Sequence, residues 1–92
     1  MEMENIAKII RTEVNRKGYV LEERKSTSTN SWYFKIYDEK YSLLFRLSDH
    51  DTHKDVITLR VDKKLTQQKV QSFIQNRCND LSKRRLKGLL GI

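Results

Sequence analysis

The residues from Ser31 to Ser48 constrain this 92-residue chain more than any others. Trp32, Phe34 and Ile36 alternate with Tyr33, Lys35 and Tyr37, and Leu43, Phe45 and Leu47 alternate with Ser42, Leu44 and Arg46. Side chains on a strand point to opposite faces at every second residue, so each run reads as a strand with one apolar face. Asp38-Glu39-Lys40 between them reads as a turn, and the two runs as a hairpin. A lone hairpin is marginal in water, so the rest of the chain must cover that apolar face.

The flanking sequence supplies the cover. Asn5 reads as the cap of a helix carrying Ile6, Ala7, Ile9, Ile10 and Val14 at helical spacing, with Gly18 as its left-handed stop. Tyr19–Lys25 reads as a first strand, and its charged half Glu22-Glu23-Arg24-Lys25 suits a sheet edge. After the polar loop Asp49–Asp55, a fourth strand turns Ile57, Leu59 and Val61 inward and Thr58 and Arg60 outward. Thr66 caps a last helix whose buried stripe is Val70, Phe73, Ile74, Cys78 and Leu81. Leu86 and Leu90 fall off that stripe, so the helix is expected to bend or end near Asp80–Ser82, with a basic segment from Lys83 to Lys87 leading to Gly88. The order predicts one α+β domain over residues 1–92, with a basic segment at 82–92. Its expected core is a four-stranded antiparallel meander with both helices on one face.

The net charge of +7 is unevenly placed. Residues 1–62 hold 11 Lys/Arg against 11 Asp/Glu, so the excess lies in residues 63–92, where Lys63, Lys64, Lys69, Arg77, Lys83, Arg84, Arg85 and Lys87 face only Asp80. A one-sided basic surface is the footprint of a polyanion partner, although a solubilising helix face gives the same composition. The outward sheet face adds Tyr33, Lys35, Arg46 and Arg60, a mixture of aromatic and basic groups able to stack bases and neutralise phosphates. With Cys78 as the single cysteine, no run of about 18 apolar residues and no basic signal-peptide start, the expected setting is a reducing cytoplasm, without a membrane.

No catalytic motif stands out. The loop holding Ser48, Asp49, His50 and His53 brings imidazole and carboxylate together, and a His-x-x-His spacing can grip zinc. A solvated turn with capping aspartates explains the same residues more simply, and neither metal nor cofactor is expected. Cys78 falls on a buried stripe, and no glycine-rich phosphate loop exists. A non-enzymatic protein is expected.

From Ser28-Thr29-Asn30-Ser31-Trp32-Tyr33 through Phe45-Arg46-Leu47-Ser48-Asp49-His50, the chain resembles small phage and mobile-element proteins of Firmicutes. Those carry a Ser/Tyr-rich strand followed by an Arg-x-Ser-Asp/Asn-His ending, and one branch of them is the anti-CRISPR inhibitors of type II RNA-guided nucleases. The resemblance implies an inhibitor that binds a nuclease or its guide RNA. This chain carries its positive charge at the C-terminal end, whereas a similar inhibitor carries it on an N-terminal arm. Weaker likeness to double-stranded-RNA-binding domains rests on the helix, meander and helix with Lys63-Lys64 before the last. The alternative expectation is a general RNA- or DNA-binding accessory protein. A third is an assembly protein that dimerises weakly through Leu86, Leu89, Leu90 and Ile92.

Overall fold

The computed structural model describes residues 2–26, 30–50 and 55–89. Six elements follow in order: α1 (Met3–Arg16), β1 (Val20–Lys25), β2 (Ser31–Tyr37), β3 (Ser42–Ser48), β4 (Ile57–Arg60) and α2 (Gln67–Leu89). α1 starts ahead of Asn5. Glu2 takes the cap position with no side-chain cap bond, and Met3 is drawn onto the core. The other end of α1 is the expected one. Gly18 has φ +82°, its amide donates to the Asn15 carbonyl (3.0 Å), and the Tyr19 amide reaches back to Val14 (3.3 Å). That pair of bonds is a Schellman closure, which needs a left-handed residue at the glycine position.

β2 and β3 pair antiparallel with Trp32 opposite Leu47, Phe34 opposite Phe45 and Ile36 opposite Leu43. Asp38 closes the turn by accepting the amides of Lys40 (2.9 Å) and Tyr41 (3.0 Å). Trp32, Phe34, Phe45 and Phe73 form a chain of ring contacts 5.4–6.1 Å apart that carries the sheet into α2. Ile6, Ile10 and Val14 of α1 and Val70, Ile74 and Leu81 of α2 are fully buried in the same cluster, so both helices cover one face. Arg11 clamps Glu23 through two nitrogens, tying α1 to β1 across that face.

The sheet order is β1-β2-β3-β4, but it is mixed, not an antiparallel meander throughout. β4 runs parallel to β3, with Phe45 opposite Ile57 and Leu47 opposite Leu59. Parallel neighbours need a return connection, and residues 49–56 provide it, shorter than the dozen or so that such crossovers usually take. Alternation has the same period in either direction, which is why Ile57, Leu59 and Val61 predict the strand but not its sense.

α2 is also longer than expected. It runs unbroken from the Thr66 cap, whose hydroxyl accepts the Lys69 amide (3.2 Å), to Leu89, so the Lys83–Lys87 segment is helix. No proline interrupts it, lysine, arginine and leucine are good helix formers, and two contacts hold its end to the hairpin. Arg84 Nη1 donates to the Ser42 carbonyl (2.7 Å), and the Tyr41 phenol lies against Gly88, where a Cβ would sit 1.7 Å from its oxygen. Gly88→Ala is therefore expected to expel Tyr41 and fray the last turns, seen as faster amide exchange there. In a Tyr41→Ala background the same change should instead stabilise by about 1 kcal/mol, the ordinary helix preference of alanine. Equal effects in both backgrounds would remove the Tyr41 contact from this account.

Candidate nucleic-acid interface

The motif that ends β3 closes on itself on the outward face of the sheet. Ser31 and Ser48 face each other in register and are fully buried, and Arg46 is 6 % exposed. Arg46 Nη2 donates to Ser31 Oγ (3.1 Å), and the Ser31 hydroxyl donates to Ser48 Oγ (3.1 Å). His50 closes over them, Nε2 lying 3.2 Å from Arg46 Nη2 and Nδ1 3.0 Å from Ser48 Oγ. Asp49 Oδ1 stands 3.2 Å from the same Nδ1, and its Oδ2 accepts Asn30 Nδ2 (2.7 Å). A guanidinium can only donate, so His50 Nε2 accepts and the ring proton lies on Nδ1.

This arrangement holds serine, histidine and aspartate, yet it is not a nucleophilic triad. A triad places serine on one ring nitrogen and the carboxylate on the other. Here Ser48 and Asp49 share Nδ1, Arg46 occupies Nε2, and Ser48 is closed to solvent. Burial also pushes the Cys78 thiol up, away from thiolate reactivity. Among the described residues no group of three or more His, Cys, Asp or Glu side chains converges on a metal position, and His53 lies outside those residues.

The network corrects the expectation for Arg46. It lies on the outward sheet face opposite Tyr33, as the alternation predicts, but it is buried there and its guanidinium is engaged, so it is not an open basic contact. The rest of that face is mixed in charge. Arg24 stacks over Tyr33 at 5.3 Å, and Lys35 shares a shallow 280 Å³ depression with Glu22, Asp38 and Glu39. Arg60 is exposed at the far edge, on β4.

The basic residues of α2 divide into two groups. Arg84 and Arg85 turn toward the hairpin, Arg84 to the Ser42 carbonyl and Arg85 near enough to Asp38 to help lower its carboxyl. Lys69, Lys83 and Lys87 fall within an arc of about 40° on the exposed side of α2, spread over about 27 Å, by the pitch of an α-helix. Lys63 and Lys64 lie exposed just ahead of the helix, and Lys69 Nζ donates to the Lys64 carbonyl (3.2 Å). Asp80 is taken by Arg77 (3.1 Å), so the nearest carboxylate in the sequence is already neutralised. Ion pairs among the described residues involve Arg11, Arg16 and Arg77, and none of these lysines.

Three carboxyls are held below their ordinary range: Asp49 by His50 and Asn30, Asp38 by the turn amides, and Glu23 by the Arg11 clamp. A carboxyl depressed in the folded state stabilises fully above its unfolded value of about 4, and that contribution is lost as pH falls through the folded value. Melting temperature should therefore drop on acidification below about pH 4, with a shallower drop in a Glu23→Gln, Asp38→Asn, Asp49→Asn variant. An identical acid profile for that variant would contradict the assignment.

Sequence reasoning missed Ser31 as a member of the network. Its signal was its position directly opposite Ser48 in the hairpin register, together with Arg46 two residues earlier on the same face. Compared with protein-family models, with curated proteins and with solved structures, the chain matches none.

Proposed function

We propose that this chain is a non-enzymatic nucleic-acid-binding protein that lays the exposed side of α2 along a phosphate backbone. The observation that carries the reading is the row Lys69, Lys83 and Lys87, without carboxylate partners among the described residues, extended at one end by Lys63 and Lys64. A rigid helix holds these charges at fixed intervals, and phosphate contacts of this kind release condensed counterions. The mixed charge around Lys35 and the burial of Arg46 argue for the helix over the sheet face as the contact. Binding to a short duplex of RNA or DNA should weaken steeply with salt, with a log–log slope of about −3 to −5 for this number of lysines. Undetectable binding, or binding that ignores salt, would overturn the reading.

A second reading is favoured by the Arg46-Leu47-Ser48-Asp49-His50 motif. In it the chain belongs to a phage or mobile element and inhibits a type II RNA-guided nuclease, with α2 meeting guide RNA or an adjoining surface. The motif's own residues would then hold the fold, because Ser48 and Arg46 are closed to a partner. Comigration with guide-loaded nuclease at physiological salt, but not with free guide RNA, would select this reading over the first.

A further inference from the structure

The two edges of the sheet are protected unequally. β1 carries Glu22, Glu23, Arg24 and Lys25, charges of the kind that deter pairing with another strand. β4, at the other edge, reads Ile57-Thr58-Leu59-Arg60, and among the described residues nothing pairs with its outer side. The Val61 amide donates to the Ser48 carbonyl (2.8 Å), so by the two-residue period Leu59 also points its backbone to β3. Thr58 and Arg60 then direct both N–H and C=O outward. Beside this edge runs a groove of about 830 Å³ between β4 and the first half of α2. Leu59, Leu65 and Phe73 give it an apolar floor, and Arg60, Lys64 and Lys69 a cationic rim. The one carboxylate there, Asp62, accepts the Lys64 amide (2.8 Å).

From this juxtaposition we infer that the β4 edge and its groove take an extended acidic segment of a partner protein as a fifth strand. A strand edge offers alternating donors and acceptors, which a peptide backbone satisfies together. A phosphodiester has only acceptors and leaves the outward carbonyls of Thr58 and Arg60 unpaired. Alternate side chains of an added strand face opposite ways, so one set reaches the apolar floor while acidic residues meet the rim. Lys83 and Lys87 lie outside the site, which shares Lys64, Lys69, Ser72 and Asn76 with the proposed nucleic-acid surface.

The test uses the isotope-labelled full chain and a synthetic peptide alternating glutamate with valine, beside the same peptide with lysine in place of glutamate. The acidic peptide should shift the Thr58 and Arg60 amides and slow their hydrogen exchange by about tenfold or more. The lysine peptide should bind at least about tenfold more weakly. Thr58→Pro removes one outward N–H and leaves the β3 ladder intact, since edge strands accept proline; it should fold and lose the peptide. Lys64→Glu with Lys69→Glu should lose the acidic peptide and gain the lysine one. No shift at Thr58 and Arg60, or full binding by both variants, would overturn the inference. So would a short RNA duplex that moves the same two amides and displaces the peptide. Lys83→Glu with Lys87→Glu should weaken the duplex while keeping the peptide, so failure of the nucleic-acid reading and failure of this one are told apart.

Discussion

Changing Lys69, Lys83 and Lys87 together to glutamate is expected to weaken binding to a nucleic-acid duplex by about a hundredfold or more near physiological salt. The salt slope should fall in magnitude by about 3, one unit for each phosphate contact removed. All three lysines are exposed and outside the ion pairs among the described residues, and their reversal gives up only the exposed bond from Lys69 to the Lys64 carbonyl, so melting should be nearly unchanged. Changing Arg84 and Arg85 makes a poorer test, although the sequence singles them out equally. Arg84 holds the Ser42 carbonyl and Arg85 lies near Asp38, so their reversal would free the end of α2 from the hairpin and confuse loss of contact with loss of structure. An unaltered slope in the lysine variant would remove α2 as the contact surface.

Arg46→Ala should act in the opposite sense. It strips the donor from Ser31 Oγ and His50 Nε2, and Ser31 is fully buried where Arg46 itself is 6 % exposed. Orphaning the buried Ser31 hydroxyl and opening a cavity where Arg46 sat costs about 2–4 kcal/mol. That is a large part of the roughly 5–15 kcal/mol holding an ordinary domain together. His50 would lose its anchor, so exchange should rise first at residues 48–50, where the connection to β4 departs. The fraction that remains folded should bind nucleic acid as tightly as the parent. If instead Arg46→Ala melts normally and loses affinity, Arg46 is a contact residue and the network is not the keystone of the β3–β4 crossover.

These two residue sets mark how much could be read in advance. The hairpin was legible because Trp32, Phe34 and Ile36 set against Leu43, Phe45 and Leu47 leave a single register that buries both rows. The ends of the helices were legible where chemistry is local: Gly18 for its left-handed φ and Thr66 for its hydroxyl. The sense of β4 was not, because Ile57 and Leu59 face the core equally in a parallel or an antiparallel strand. The last two turns of α2 escaped because nothing apolar holds them. Their hold on the hairpin is Tyr41 against Gly88 and Arg84 on a backbone carbonyl, contacts between residues more than forty positions apart. Arg46 occupies an outward position in the alternation and is closed over by His50 from a loop, which no strand pattern records. The basic third was visible as composition, but only the helix phase separates lysines that face solvent from arginines that face the hairpin.

The most direct test of the central claim maps amide shifts across the isotope-labelled chain as a short nucleic-acid duplex is added. The account predicts shifts along the exposed side of α2, at Lys69, Ser72, Asn76, Lys83 and Lys87, and none at Tyr33 or Lys35 on the open sheet face. Shifts gathered on Tyr33 and Lys35 with α2 silent would contradict it and return the sheet face as the contact.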